Sequence, residues 1–533
     1  MGDTIDLLLK NGLVYDGSGD APFRGNVGIK GDRIVLSGSE TAESEVVIDI
    51  DGLCVSPGFV DTHGHSEFNM IAAPECESKV LQGVTTEING NCGLSAGPLL
   101  NDAKIRREAD FVEAGIPYRW NSLKEYFVYL NERYPVINYG TLSGQGNIRA
   151  SVMGYDRREP DSVELEQMRT LLMNDIIEGS LGCSTGLIYP PGVFTETNEL
   201  VELLKNIGIN GQLIYATHMR SEGDRLIESI QEAIRVGWEA NWNVHISHLK
   251  TGGKRNWPKI DEAIETIENS SRKGIRITFD RYPYTASATD LDTVLPSWMY
   301  EGGNEAECER LRTSSVRRIL VDYLREQYGA NDLYRSIMIS TVTLEKNHWM
   351  EGKTVDEIAH VINRNPEEVI LDLLLEEKVR VGAIFETMNE DNLRRFLSHP
   401  LCMVGSDSAV RNFKGVTAIG KPHPRAFGTF PRYLGKYIIE EGLLSLEEAI
   451  RRITSFAAET FGIVDRGRIR AGFFADLVIF DPMSVRDNAT YQEPFMKPDG
   501  IHHVIINGKV AVMAGEAVRG IRSGRILKRE GRM

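Results

Sequence analysis

Eight short apolar runs, centred near residues 60, 86, 138, 182, 214, 245, 278 and 403, recur along this chain with helical patterns between them. "SVELEQMRTLLMNDIIEG", "NELVELLKNIG" and "DRLIESIQEAIRVGWEA" space their apolar residues by three and four, which marks amphipathic helices. The strands "QLIYATHMR" and "NVHISHLK" follow the second and third of these. Eight strand-then-helix units close a parallel barrel. The fold class expected is therefore α/β, a (β/α)8 TIM-like barrel of the metal-dependent hydrolase type. The stretch from about 285 to 400 is too long for one unit, so it should hold an inserted lid subdomain, roughly 288–345. Both chain ends differ from the middle. Residues 1–57 and 466–533 read as short strands punctuated by Asp-Gly and Asn-Gly turns. They are expected to form one small β-sandwich domain from both termini, flanking a barrel over 58–465.

Composition narrows the partners. The 533 residues are 41% hydrophobic and 26% charged, enough for a large core. A net charge of −16 counts against nucleic acid and anionic membranes. No run approaches the ~20 apolar residues of a membrane span, and "MGDTIDLLLKNG" does not read as a signal peptide. Six scattered cysteines without a CxxC pair suit a reducing compartment, so a cytoplasmic location is expected. The oligomeric state cannot be read.

Barrel enzymes place their chemistry at the C-terminal ends of the strands. Here those ends carry His63 and His65 of "GFVDTHGHSEF", then Cys92, His218, His248 and Asp407. Residues two apart on a strand share a side, so His63 and His65 would aim at one point. His245 has the opposite parity to His248, and His248 is chosen as nearer the strand end. Singly, each has a plain structural reading: Cys92 as a buried thiol, Asp407 as a helix cap. Six metal-competent side chains at five strand ends of one barrel are a different matter. Imidazoles, a thiolate and a carboxylate together suit Zn²⁺. Six donors exceed a closed four-coordinate site, so the expectation is one or two zinc ions.

These residues resemble the amidohydrolase superfamily, and within it the N-acyl-D-amino-acid deacylase (D-aminoacylase) family. "PGFVDTHGH", the later histidines and Asp407 carry the superfamily likeness. "NCGLSAGP", "GCSTGLIYPPG", "ATHMRSEG", "HISHLKTGG", "DRYPYTAS", "GSDSA" and "HPRAFGTFPRYLG" carry the closer one, over about residues 5 to 515. The resemblance implies His63, His65 and Asp407 in one metal cluster and Cys92, His218 and His248 in the other. Cys92 would stand where hydantoinases use a carboxylated lysine. The activity implied is hydrolysis of the linear amide of an N-acyl-D-amino acid, a small-molecule substrate, with Asp407 as general base and then general acid for a metal-activated water. Lys250, Tyr189 and Tyr282 would hold the α-carboxylate. Arg220, two residues past His218, is a second cationic candidate. This chain departs from the family's usual pattern at Gln145 and Arg281. An acidic-substrate pocket would need an extra arginine, for which Arg281 is a candidate. The alternatives are a D-aminoacyl dipeptidase, a cyclic amidase or deaminase on the same scaffold, and a non-catalytic scaffold protein.

Overall fold

The computed structural model describes all residues except 1–3, 40–41, 206, 208–212, 330–332 and 530–533. The chain opens with β1 (Ile5–Val14), β2 (Phe23–Lys30), β3 (Arg33–Gly38), β4 (Ser44–Asp49) and β5 (Cys54–Pro57). β1 and β2 pair antiparallel with Leu7 opposite Ile29. The β2–β3 turn passes through Gly31 at φ +60°, a backbone that glycine adopts without penalty.

The barrel follows as β6 (Phe59–Asp61), β7 (Val84–Asn89), β8 (Asn138–Thr141), β9 (Ser143–Gly144), β10 (Gly182–Gly186), β11 (Ile214–His218), β12 (Asn243–Ile246) and β13 (Ile277–Arg281). An insert contributes β14 (Ala286–Asp290), β15 (Ile337–Thr341) and β16 (Gly382–Glu386) before the last barrel strand, β17 (Cys402–Val404). β8 and β9 are two pieces of one barrel strand, interrupted at Leu142. Parallel pairing runs β6-β7-β8 and β9-β10-β11-β12-β13-β17. A parallel bridge between Gly64 and Ser408 completes the ring. All eight expected runs are barrel strands. Val60, Ile88, Leu142, Leu181, Ile214 and Met403 come from successive strands and cluster with Ala457, Ala458 and Phe461. That apolar layer lies on the N-terminal side of the site residues and leaves the opposite end to polar groups.

The helices between strands start and stop on local signals. Helix Ser162–Glu178 begins at Asp161, whose carboxylate accepts from the amides of Val163 and Glu164, while Glu164 reaches back to the Asp161 amide. It ends at Gly179, at φ +116°.

The insert is longer than expected. β14, β16 and β15 form an antiparallel sheet, with Ala288 opposite Ile384 and Ile339 opposite Ala383. Its own core includes Leu291, Met299, Leu320, Ile339, Ile358 and Leu374. An end near 345 would cut the insert just after β15 and leave out β16, the central strand of its sheet. The insert therefore runs to β16.

The C-terminal part returns as β18 (Leu477–Phe480), β19 (Ile501–Ile506), β20 (Lys509–Met513) and β21 (Glu516–Ala517). It extends the N-terminal sheet to the order β21-β20-β19-β18-β5-β1-β2-β3, with β4 on β1. Leu9, Val27, Val55, Leu477 and Ile505 from both termini share the core of this β-sandwich domain. The tail beyond it does not stay there. The Tyr139 amide donates to Arg525 O at 2.8 Å, so the chain end runs back along barrel strand β8. No helix among the described residues is long and apolar enough to cross a membrane.

Candidate metal centre

The six expected donors converge at the C-terminal ends of the strands. His218 is the last residue of β11; His63, Cys92, His248 and Asp407 lie just past β6, β7, β12 and β17. Three of them sit on left-handed backbone: Cys92 at φ +53°, His248 at +38° and Asp407 at +49°. Non-glycine residues seldom adopt this region, and it is held only where the surroundings over-determine it. Hydrogen bonds do so here. The His248 amide donates to Asp280 Oδ1 at 2.7 Å, and the Asp407 amide to His63 O at 2.8 Å.

Cys92 Sγ lies 3.3 Å from His63 Nε2, 3.7 Å from His218 Nδ1 and 3.5 Å from His248 Nε2. Asp407 Oδ1 lies 3.2 Å from His65 Nε2 and 3.6 Å from His63 Nε2. One donor atom each from His63, Cys92, His248 and Asp407 falls within 4.8 Å of the others. The two expected clusters thus share one centre, in which the Cys92 thiol touches histidines of both. Burial opposes ionisation of Cys92, yet charge on His63 and hydrogen bonds from His218, His248 and His63 hold it well below the ordinary thiol value. His218 Nε2 is buried without a hydrogen-bond partner. A thiolate-leaning cysteine, grouped imidazoles and an orphaned buried nitrogen fit a zinc ion.

A second layer of residues, not singled out from the sequence, fixes these donors. Asp280 receives His63 Nδ1 at 3.2 Å and His245 Nε2 at 2.8 Å, the carboxylate support usual behind ligating histidines. Burial would raise its carboxyl, but His63 and His245 hold it well below the usual carboxylate range. His245 therefore also points inward. The parity rule fails because the chain leaves β12 after Ile246 and turns at His248, although His248 is the residue that joins the donors. Glu222 Oε1 lies 2.9 Å from His248 Nδ1 and pairs with Lys250. Arg425 Nη1 lies 2.8 Å from Asp407 Oδ2. Burial opposes ionisation of Asp407, but Arg425, with His248 and His65, holds its carboxyl well below the usual range.

Beneath the histidine pair lies a buried ion network. Lys79, without solvent exposure, contacts Asp61 Oδ2 at 2.7 Å, Glu87 Oε1 at 2.8 Å and Ser406 Oγ at 2.6 Å. Asp61 Oδ1 accepts from the amides of His63 and Ser406. Glu87 Oε1 accepts from Ser66 Oγ. A Cβ on Gly64 would fall 2.3 Å from Glu87 Oε1, so glycine is required between the two histidines.

Two cavities meet at the donors. One, of about 280 Å³, is lined by His65, Cys92, Phe68, Arg106, Tyr189 and Asp407 among others. The larger, of about 970 Å³, runs past His218, His248, Lys250 and Asp407 to the insert. Lys250 Nζ lies 2.8 Å from His248 Nδ1. Tyr189 lines both cavities, its hydroxyl 2.9 Å from Thr289 Oγ1. Tyr282 is buried outside the lining of both cavities, its hydroxyl has no hydrogen-bond partner, and Lys250 Nζ is 5.9 Å from its ring centre. Arg220 does not join them. It ion-pairs with Glu232 at 2.9 Å and donates to Thr195 O at 2.7 Å, because the chain departs from strand geometry after His218. Arg281 is in the lining of neither cavity: it is buried and donates to Tyr284 O, while its Nε and Nη1 have no hydrogen-bond partner. His423 bonds to the backbone of the insert, with Nε2 3.0 Å from Ala286 O.

The amidohydrolase family model matches residues 46–132 and 272–512. The chain is 32% identical to D-aminoacylase from Alcaligenes xylosoxydans xylosoxydans, over 98% of each chain. It is also 32% identical to the N-acyl-D-glutamate deacylase of that organism, over 99% of this chain and 98% of the relative. The structure of Bordetella bronchiseptica N-acyl-D-glutamate deacylase, complexed with zinc and a phosphonate inhibitor mimicking the tetrahedral intermediate, superposes with a TM-score of 0.84 at 29% identity, covering 99% of this chain and 100% of that one.

Proposed function

This chain belongs to the amidohydrolase family, and on that premise we propose that it hydrolyses the linear amide of N-acyl-D-amino acids, releasing a carboxylic acid and a free D-amino acid. One or two zinc ions would be held by His63, His65, Cys92, His218, His248 and Asp407. The observation that carries the reading is the convergence of all six donors where two cavities meet. When bound, the metal supplies Lewis-acid activation of water and of the acyl carbonyl.

The chain's own groups do the rest. Asp407, kept ionised by Arg425, accepts the proton that the attacking water gives up and returns it to the departing nitrogen. Asp280 and Glu222 orient His63 and His248 through their Nδ1 atoms. Asp61 ties the His63 segment to the Asp407 segment. Lys250 and the unsatisfied Tyr282 hydroxyl offer a cation and a donor to the substrate's α-carboxylate, beside Tyr189. Lys250 meets that carboxylate already paired with Glu222, so it serves as a directional donor more than as a bare charge.

The experiment is to strip metal with a chelator, reload zinc, and count both bound metal and amino acid released from D- and L-N-acetyl substrates. Activity should vanish with the metal and return with it, on the D series. A zinc-loaded protein that cleaves no N-acyl-D-amino acid would overturn the proposal.

A further inference from the structure

We infer that the enzyme's preferred substrates carry a large apolar side chain, and that acidic side chains are disfavoured. The inference rests on the activity proposed above and concerns this chain's own cavity. With the α-carboxylate at Lys250, the amino-acid half of the substrate lies in the larger cavity, because Lys250 lines that one and not the smaller. The insert supplies the apolar part of that cavity's lining: Val294, Tyr323, Tyr328, Leu333, Ile337 and Phe385. All but Leu333 belong to or pack against the insert's own hydrophobic core, and they present that core's edge to the cavity.

The charged groups point the same way. Lys250 is paired with Glu222 and Arg255 with Asp224, and Glu386 adds a further acid. Lys254 is exposed and also lines the cavity. Among the described residues, the apolar wall carries no cation that could pair with a second carboxylate. A charged side chain lodged against that apolar wall would lose its hydration, with the exposed Lys254 as the one cation of the lining, among the described residues, outside an ion pair. An apolar one gains by leaving water, and pockets of this kind discriminate by about 10- to 200-fold per missing or extra methylene.

The test uses the zinc-loaded full chain and compares kcat/KM for N-acetyl-D-leucine, N-acetyl-D-alanine and N-acetyl-D-glutamate. The leucine substrate should exceed the glutamate substrate by at least about 10-fold. The leucine-to-alanine ratio should fall about 10-fold in Phe385→Ala, a ratio that a general loss of folded enzyme does not move. Phe385→Arg should shift preference toward glutamate. Cleavage of the glutamate substrate at least as efficient as that of leucine overturns the inference while leaving the proposed activity standing. Failure to cleave any of the three removes the activity, and the side-chain preference is then read from binding. Trp257 lines the cavity, so its fluorescence should respond to N-acetyl-D-leucine at lower concentration than to N-acetyl-D-glutamate. Equal or reversed binding also overturns it.

Discussion

Lys79→Met isolates the ion network under the histidine pair. Methionine keeps the length and removes the charge. Asp61 and Glu87 would then face each other, both without solvent exposure and without their shared cation. Removing one partner of a buried ion pair costs about 3–5 kcal/mol, and losing the Ser406 hydrogen bond adds about 1 kcal/mol. The expected loss, about 5 kcal/mol, is a large part of the ~5–15 kcal/mol that holds a typical domain folded. Its pH dependence has a definite sign. Burial already raises the Glu87 carboxyl above its ordinary value of 4.5, and Lys79 is the chief influence lowering it. Without Lys79 the folded-state value rises further above the unfolded one. Such a group contributes stability that is present below the unfolded value and lost as pH climbs through the folded value. The variant's deficit should therefore be smaller near pH 4 than at neutral pH and above. Urea denaturation of the metal-free protein, followed by tryptophan fluorescence at both pH values, measures it. Lys79→Met/Glu87→Gln should recover part of the loss at neutral pH. A deficit below about 1 kcal/mol at pH 8, or one that does not grow with pH, would refute the reasoning.

Three further outcomes are expected. Asp407→Asn should retain metal, by elemental analysis, yet lose about 10²-fold or more of kcat; an active Asn variant would remove Asp407 from proton transfer. Lys250→Ala should raise KM for an N-acyl amino acid far more than for the corresponding neutral amide, and equal effects would exclude carboxylate contact. Gly64→Ala places a methyl 2.3 Å from Glu87 Oε1, which the Lys79 network pins, so stability should fall by about 1–3 kcal/mol and zinc should dissociate more readily under chelator competition. Unchanged zinc retention would mean that Glu87 yields without disturbing His63 and His65.

The barrel was legible because its signal is repetitive: eight apolar runs with helical periods between them can close in few other ways. The donors were legible for the same reason, being set by the strand ends. What escaped lies past those ends. Parity placed Arg220 beside His218, but the segment has left the strand by then and Arg220 turns to Glu232. Parity also set His245 against His248, whereas the turn at His248 lets both point inward. Asp280, Glu222, Lys79 and Arg425 went unnoticed because each is an ordinary charged residue in sequence. Only burial against a particular partner, up to hundreds of residues away, gives them a role. The insert's end is hidden in the sequence because antiparallel β15 and β16 are separated by a 3-10 turn and two α-helices, and nothing local announces their pairing.

Every donor atom of the centre comes from the barrel, whereas one whole wall of the larger cavity comes from the stretch between β13 and β17. Reactivity and recognition are thus written on separate parts of the polypeptide. Exchanging that stretch could retune which molecules are accepted without moving a single atom that grips the ion.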